Sequence, residues 1–202
     1  MLGDEREAEQ PAYGTGQDSR VPALVVVSGQ PGSGKTTLGR QLAADLRLPF
    51  VNKDGIKEQL YYTLGWGGKE WSQKLGRATY AVLYYVIETQ LAAGRSVLAE
   101  SNFDPPTARE ELRRLQERYD CRFVEVHCVA GPEVLWQRFQ ERDLRGERHP
   151  GHVDERRYKD VENRLRFGAQ EPLGLGEVVT VDASDFGHVD YQAIREQVVG
   201  LL

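Results

Sequence analysis

Two cysteines and a single methionine stand in 202 residues. So few thiols exclude a disulfide-stapled secreted scaffold. Cys121 and Cys128 fall in or beside one predicted strand and read as buried free thiols of a reducing compartment. No apolar run approaches the ~20 residues that span a bilayer. The opening MLGDEREAEQ is acidic and carries no apolar h-region, unlike a secretory signal. Together these absences lead to the expectation of a cytoplasmic protein with no membrane partner. Internal repeats and low-complexity tracts are missing too. Basic charge is not in excess: 26 Lys and Arg face 31 Asp and Glu, a net charge of −5, which argues mildly against tight nucleic-acid binding.

What is present is concentrated between Val25 and Leu38, VVVSGQPGSGKTTL. An apolar β-branched run breaks into a glycine-rich turn and continues as an amphipathic helix pattern. Gly29, Gly34, Lys35 and Thr36 fill the fixed positions of G-x-x-x-x-G-K-[ST], with Gly32, Ser33 and Thr37 inside or just after them. Glycines let consecutive backbone N–H groups point inward at phosphate oxygens, and the following helix adds the positive end of its dipole. The pattern implies that ATP is bound here, with Lys35 on the β- and γ-phosphates and the Thr36 hydroxyl on Mg²⁺.

Elsewhere the apolar periodicity alternates between strands and helices. Predicted strands cover 24–28, 49–52, 96–100, 122–129 and 178–181. Predicted helices cover 35–46, 55–64, 71–93, 107–119, 132–145, 154–167 and 189–201. This order means an α/β fold with a parallel sheet flanked by helices. Residues 1–20 are polar and aperiodic and read as a disordered lead-in to one domain over 21–202.

A parallel α/β sheet puts its ligands at the carboxyl ends of its strands. That rule selects Asp54, Glu100 and Asn102. Asp54 suits the carboxylate that orients an acceptor hydroxyl and takes its proton, the alternative being a simple cap on the helix that follows. Lys57, one turn on, could hold a negative group of the acceptor. Glu100 ends an apolar strand where a second acid would hold a Mg²⁺-bound water. Asn102 lies in a polar turn that could touch the acceptor. Tyr62 and Trp66, four apart beside a glycine hinge, could line its pocket.

Arg138, Arg142 and Arg145 recur at i, i+4, i+7, a stripe about 60° wide on one helix face, with Arg148 just beyond. Over the γ-phosphate they would neutralise developing charge, and otherwise they form a solvated face paired with Glu141 and Asp143. His149 and His152 make a poor zinc site, because two histidines fall short of three or four ligands. The stretch 149–152 reads instead as the tip of a lid, about 138–153, closing over ATP.

The runs GQPGSGKTT at 29–37, NKDGIK at 52–57, SVLAESNFDP at 96–105 and the arginine-bearing helix from Arg138 occur in the order found in the P-loop hydroxyl kinases. The chain resembles those AAA-type ATPase-like kinases that include the polynucleotide 5′-kinase domain, with chloramphenicol phosphotransferase and zeta toxin as more distant relatives. The resemblance implies the three-layer P-loop NTPase/kinase fold with an arginine-bearing lid. It also implies ATP and Mg²⁺ as cofactors, and Asp54 as general base. Lys35, Arg138 and Arg142 would be the other catalytic groups. Lys57 stands where polynucleotide kinases carry an arginine, which keeps the charge but loses the bidentate fork. The expected activity is therefore transfer of the γ-phosphate to a hydroxyl of a small molecule. A polynucleotide 5′-hydroxyl kinase and an ATP-hydrolysing regulator without an acceptor are the alternatives.

Overall fold

The computed structural model describes residues 21–146, 149–152, 162–163 and 170–202, with the side chain of 143 excepted. The expected lead-in over 1–20, the body of the helix expected over 154–167, and Arg148 lie outside the described residues.

β1 (Ala23–Gly29) forms because ALVVVSG is apolar and β-branched throughout, and every residue of it is buried. It lies at the centre of a five-stranded parallel sheet ordered β2-β3-β1-β4-β5. The other strands are β2 (Phe50–Asn52), β3 (Val97–Glu100), β4 (Arg122–Val129) and β5 (Glu177–Asp182). Helices α1 (Lys35–Asp45), α2 (Lys53–Leu64), α3 (Lys69–Ala92), α4 (Pro105–Tyr119), α5 (Pro132–Leu144) and α6 (Tyr191–Leu201) connect and cover them.

The alternation of side chains along β1 divides the core into two layers. Leu24 and Val26 pack with Leu83, Ile87 and Leu91 of α3 and Leu112 and Leu115 of α4. Val25 and Val27 pack with Leu42 and Ala43 of α1 and Ile194 and Val198 of α6. The stripe Leu38, Leu42, Leu46 thus meets the sheet with Leu42 fully buried and its two neighbours partly so. Cys121 and Cys128 are both buried and free, and burial pushes their thiols up to about 11 and about 12.

Because all five strands run parallel, their carboxyl ends share one edge. Register puts Glu100 beside Val27 on one side and Asn52 on the other. One boundary differs from expectation in a way that matters. α2 starts at Lys53, not Gly55, because the Asn52 side chain accepts from Gly55 N at 2.5 Å and caps the helix. A β-carbon on Gly55 would come within 2.9 Å of that Asn52 oxygen, so the glycine makes room for the cap. Asp54 is thereby left out of the capping role. Asn52→Ala should lower stability by about 1 kcal/mol through loss of the cap, read as a shift of the denaturation midpoint at unchanged slope.

Candidate active site at the carboxyl edge of the sheet

The phosphate loop follows β1 with three glycines at positive φ: Gly29 at 140°, Gly32 at 88° and Gly34 at 79°. A β-carbon on Gly29 would strike the Cys128 carbonyl, and one on Gly34 would strike the Phe186 ring. Only glycine permits both the backbone and the close approach. Ser33 Oγ is fully buried at the centre of the loop and has no hydrogen-bond partner among the described residues. α1 is preceded by Gly34 at its N-cap, with no side-chain cap and no acidic residue in its first turn. An orphaned buried hydroxyl, an uncapped helix start and a cradle that no side chain could enter together fit a phosphate group. Thr37 is exposed on the first turn of α1.

Lys35 is 8% exposed; its Nζ donates to the Gln30 carbonyl at 3.3 Å and stands 3.8 Å from Glu100 Oε1. Burial pushes its ammonium below the ordinary lysine range. The Glu100 and Asp54 carboxylates oppose that shift and the Arg142 guanidinium adds to it. Residues from three separate elements therefore act on one ammonium. Glu100, 3% exposed, accepts from Thr36 Oγ1 at 3.1 Å and from Asn52 Nδ2. Burial pushes its carboxyl up, against the pull of Lys35. A hydroxyl and a carboxylate held side by side are the hard oxygen donors that Mg²⁺ takes, with the rest of its shell left to phosphate and water.

Asp54 stands on the first turn of α2 with its side chain 42% exposed, and Lys53 Nζ donates to it at 2.8 Å. Lys57 does not lie open at the surface. It is 6% exposed, with Nζ 3.3 Å from Ser72 Oγ and 5.4 Å from the centroid of the Tyr61 ring. Asn102 lies in the turn after β3, where its carbonyl accepts from Gln170 Nε2. Beside it, Ser101 Oγ and Tyr80 OH are 3.0 Å apart.

Tyr62 and Trp66 are 70% and 57% exposed, and both meet the His149 ring in edge-to-face pairs. The stretch 149–152 docks on α2. The His149 ring stacks on Tyr61 at 4.9 Å, and Tyr61 OH donates to the Gly151 carbonyl at 2.6 Å. The sequence reading missed Tyr61, the hub of this contact, because an aromatic at helical spacing reads as core. It is core, being 2% exposed, but its hydroxyl reaches out of it.

The arginine stripe divides. Arg138 donates to the carbonyls of Ala183 at 2.6 Å and Ser184 at 3.0 Å, and lies 3.8 Å over the Phe186 ring. It holds the loop after β5, whose Phe186 ring lies against Gly34, and its Cβ lies beside Gly32 of the phosphate loop. Arg142 is the one whose charge Lys35 feels. Arg145, the first residue past α5, is 64% exposed and pairs with Glu141 at 3.4 Å, as a solvated face would. Phe186, a second residue that the sequence reading missed, belongs to a short turn of 3₁₀ helix without strong periodicity.

Comparison with known proteins agrees with this geometry. The family model described as AAA domain matches residues 24–167. A crystal structure from Chloroflexus aurantiacus J-10-fl, provisionally named a kinase, is 38% identical with a TM-score of 0.83, covering 91% of this chain and 100% of that one. Kti12 from Chaetomium thermophilum, solved with ADP-AlF3, shares the fold at 21% identity and a TM-score of 0.60, over 88% of this chain and 98% of that one. Among curated proteins, shikimate kinase from Corynebacterium diphtheriae is 54% identical over 41 residues, 20% of this chain and 24% of that one. The chain thus spans about a quarter of the first curated relatives it matches. No helix among the described residues is long and apolar enough to cross a membrane.

Proposed function

This chain belongs to the AAA domain family, and from that premise we propose that it is an ATP-dependent phosphotransferase acting on a hydroxyl of a small molecule, with 21–202 as its kinase domain. The observation that carries the reading is the buried Lys35 ammonium 3.8 Å from Glu100, which also accepts from Thr36, with the Asp54 carboxylate exposed at the same carboxyl edge of the sheet. A site that only held nucleotide would have no use for Asp54, which stands half-open at the same edge.

The loop amides, Ser33 and Lys35 hold the phosphates, and Thr36 and Glu100 are the groups that would hold Mg²⁺. When bound, Mg²⁺ neutralises phosphate charge and orients the β- and γ-oxygens. Asp54 accepts the proton of the acceptor hydroxyl, and Arg142 offsets the charge that grows on the transferred group. Phe186, against Gly34, and Arg138, stacked on it and beside Gly32, would meet the base of the nucleotide. Asn102, Lys57, Tyr62 and Trp66 border the acceptor side. Two buried free thiols suit a reducing, cytoplasmic setting.

This division of the arginines has a measurable consequence. Arg142→Ala should lower kcat with little change in the KM for ATP, whereas Arg138→Ala should raise the KM for ATP with little change in kcat. The opposite split, from initial rates at varied ATP, would exchange their roles.

A polynucleotide 5′-hydroxyl acceptor is the second reading. Lys57, turned to Ser72 and Tyr61, favours the small molecule over it. Labelled ATP offered with a panel of nucleosides, sugars and hydroxylated antibiotics, and separately with a 5′-hydroxyl oligonucleotide, decides between them. Labelling of a small molecule with shallow salt dependence is expected. Efficient labelling of the oligonucleotide, lost steeply as salt rises, would reverse the preference. Phosphate release at full rate with no acceptor would instead make the protein a hydrolysing regulator.

A further inference from the structure

Beneath the phosphate loop lies a polar cluster that the proposed chemistry does not use. Ser28, Glu125 and His127 are 1%, 0% and 3% exposed. They meet because β1 and β4 pair in parallel with Ser28 opposite His127, and Glu125 lies two residues back on the same face of β4. Ser28 Oγ is 2.6 Å from Glu125 Oε1 and 2.8 Å from His127 Nδ1. The other ends of both groups are fixed as well. Glu125 Oε2 accepts from Leu173 N at 2.7 Å and Gly174 N at 3.4 Å, and His127 Nε2 lies 2.9 Å from the Gln170 carbonyl.

The hydrogens in this cluster can be counted. A carbonyl only accepts, so His127 Nε2 carries a hydrogen. The Ser28 hydroxyl has one hydrogen and two close neighbours, so it donates to one and must receive from the other. Either it donates to an ionised Glu125 and receives from the Nδ1–H of a His127 imidazolium, or it donates to Nδ1 of a neutral ring and receives from a protonated Glu125. The two arrangements hold the same number of hydrogens, one more than an ionised glutamate with a neutral histidine. Without that hydrogen, two lone pairs would face each other at hydrogen-bond distance in a site closed to water, at the full cost of an unsatisfied buried group.

What the cluster ties together is functional. Ser28 is the residue before Gly29, the first glycine of the phosphate loop. Gln170, whose carbonyl faces His127, also donates through Nε2 to the carbonyls of Asn102 and Phe103 in the turn after β3. Arg109 of α4 approaches the same segment, donating to the carbonyls of Leu173 at 2.6 Å and Pro172 at 3.2 Å, so it faces that backbone and not the Glu125 carboxylate.

We propose that Ser28, Glu125 and His127 are positioning residues that hold the phosphate loop, the segment 170–174 and the turn at Asn102 in one arrangement through a single proton shared between Glu125 and His127.

Glu125→Gln isolates the effect. Its amide nitrogen donates to Ser28, its oxygen accepts from Leu173 and Gly174, Ser28 donates to His127, and every partner is kept with no shared proton. ¹⁵N-histidine NMR of the wild type should show Nε2 of His127 carrying a hydrogen. Ser28→Ala, which removes the bridge, should weaken MgADP binding about tenfold, the size of one lost hydrogen bond, while Glu125→Gln stays within about threefold. A bare Nε2 in the wild-type spectrum, which needs no variant to fold, would overturn the proposal, and so would equal MgADP affinity in Ser28→Ala and wild type. The MgADP arm rests on the nucleotide reading; a wild type that does not bind MgADP refutes that reading while the NMR arm still locates the hydrogen.

Discussion

Lys35→Ala should lower kcat by about 10²–10³-fold, the cost of removing one preorganised group aimed at developing charge, and leave the chain folded. The side chain is 8% exposed and holds its ammonium 3.8 Å from Glu100 while donating to the Gln30 carbonyl. Burial already pushes that ammonium down, so the site keeps a cation where it is costly to keep one. The loss should propagate. Glu100, whose carboxyl burial pushes up, loses the cation that holds it down and becomes a poorer partner for Mg²⁺. Lys35→Arg should fail to restore the rate, because a planar fork replaces a compact ammonium in a cradle where neighbouring Cα atoms have no room for a methyl group. Rates at saturating ATP, with folding followed by circular dichroism, test this. Near-wild-type turnover in Lys35→Ala would remove the loop from the chemistry.

Asp54→Asn is the second large effect: kcat should drop about 10²–10⁴-fold, as expected when general-base catalysis is lost, with MgADP affinity retained. The structure sharpens this test. The competing role for Asp54 was to cap α2, and Asn52 fills that role instead, through Gly55 N at 2.5 Å. Stability and rate should therefore separate across two neighbouring positions. Asn52→Ala loses stability, whereas Asp54→Asn, on the first turn and paired across the surface with Lys53, loses rate at nearly constant stability. An Asp54→Asn variant with wild-type kcat would end its role as base, whatever happened to its melting temperature.

Much of this site was legible because it is contiguous. The loop from Gly29 to Thr36 needs glycines at particular backbone angles and a lysine at the helix start, and those demands fall on eight consecutive residues. The strands were legible for a related reason. Residues buried on both faces must be apolar throughout, as ALVVVSG is, and the rule that parallel sheets bind ligands at their carboxyl edge then pointed to Asp54, Glu100 and Asn102. The arginine stripe was legible as a pattern and not as a function. Its three members share one stripe by spacing, yet Arg138 goes to the loop after β5, Arg142 toward Lys35 and Arg145 to Glu141 at the surface. Spacing says which side chains leave a helix together and nothing about what each one meets.

The sequence by itself determined the phosphate loop, the alternation that builds a helix-flanked parallel sheet, and the two-layered core on either side of β1. All of these follow from local backbone demands and from the periodicity of burial. Tertiary structure alone decided which distant groups become neighbours. It put Thr36 against Glu100, Lys57 against Ser72, the 149–152 stretch against Tyr61, and Ser28 between Glu125 and His127. The reason is that these pairings depend on strand order and register. Both are set by the whole sheet, and a shift of one residue in β4 would turn Glu125 and His127 to the opposite face without altering any local pattern in the chain.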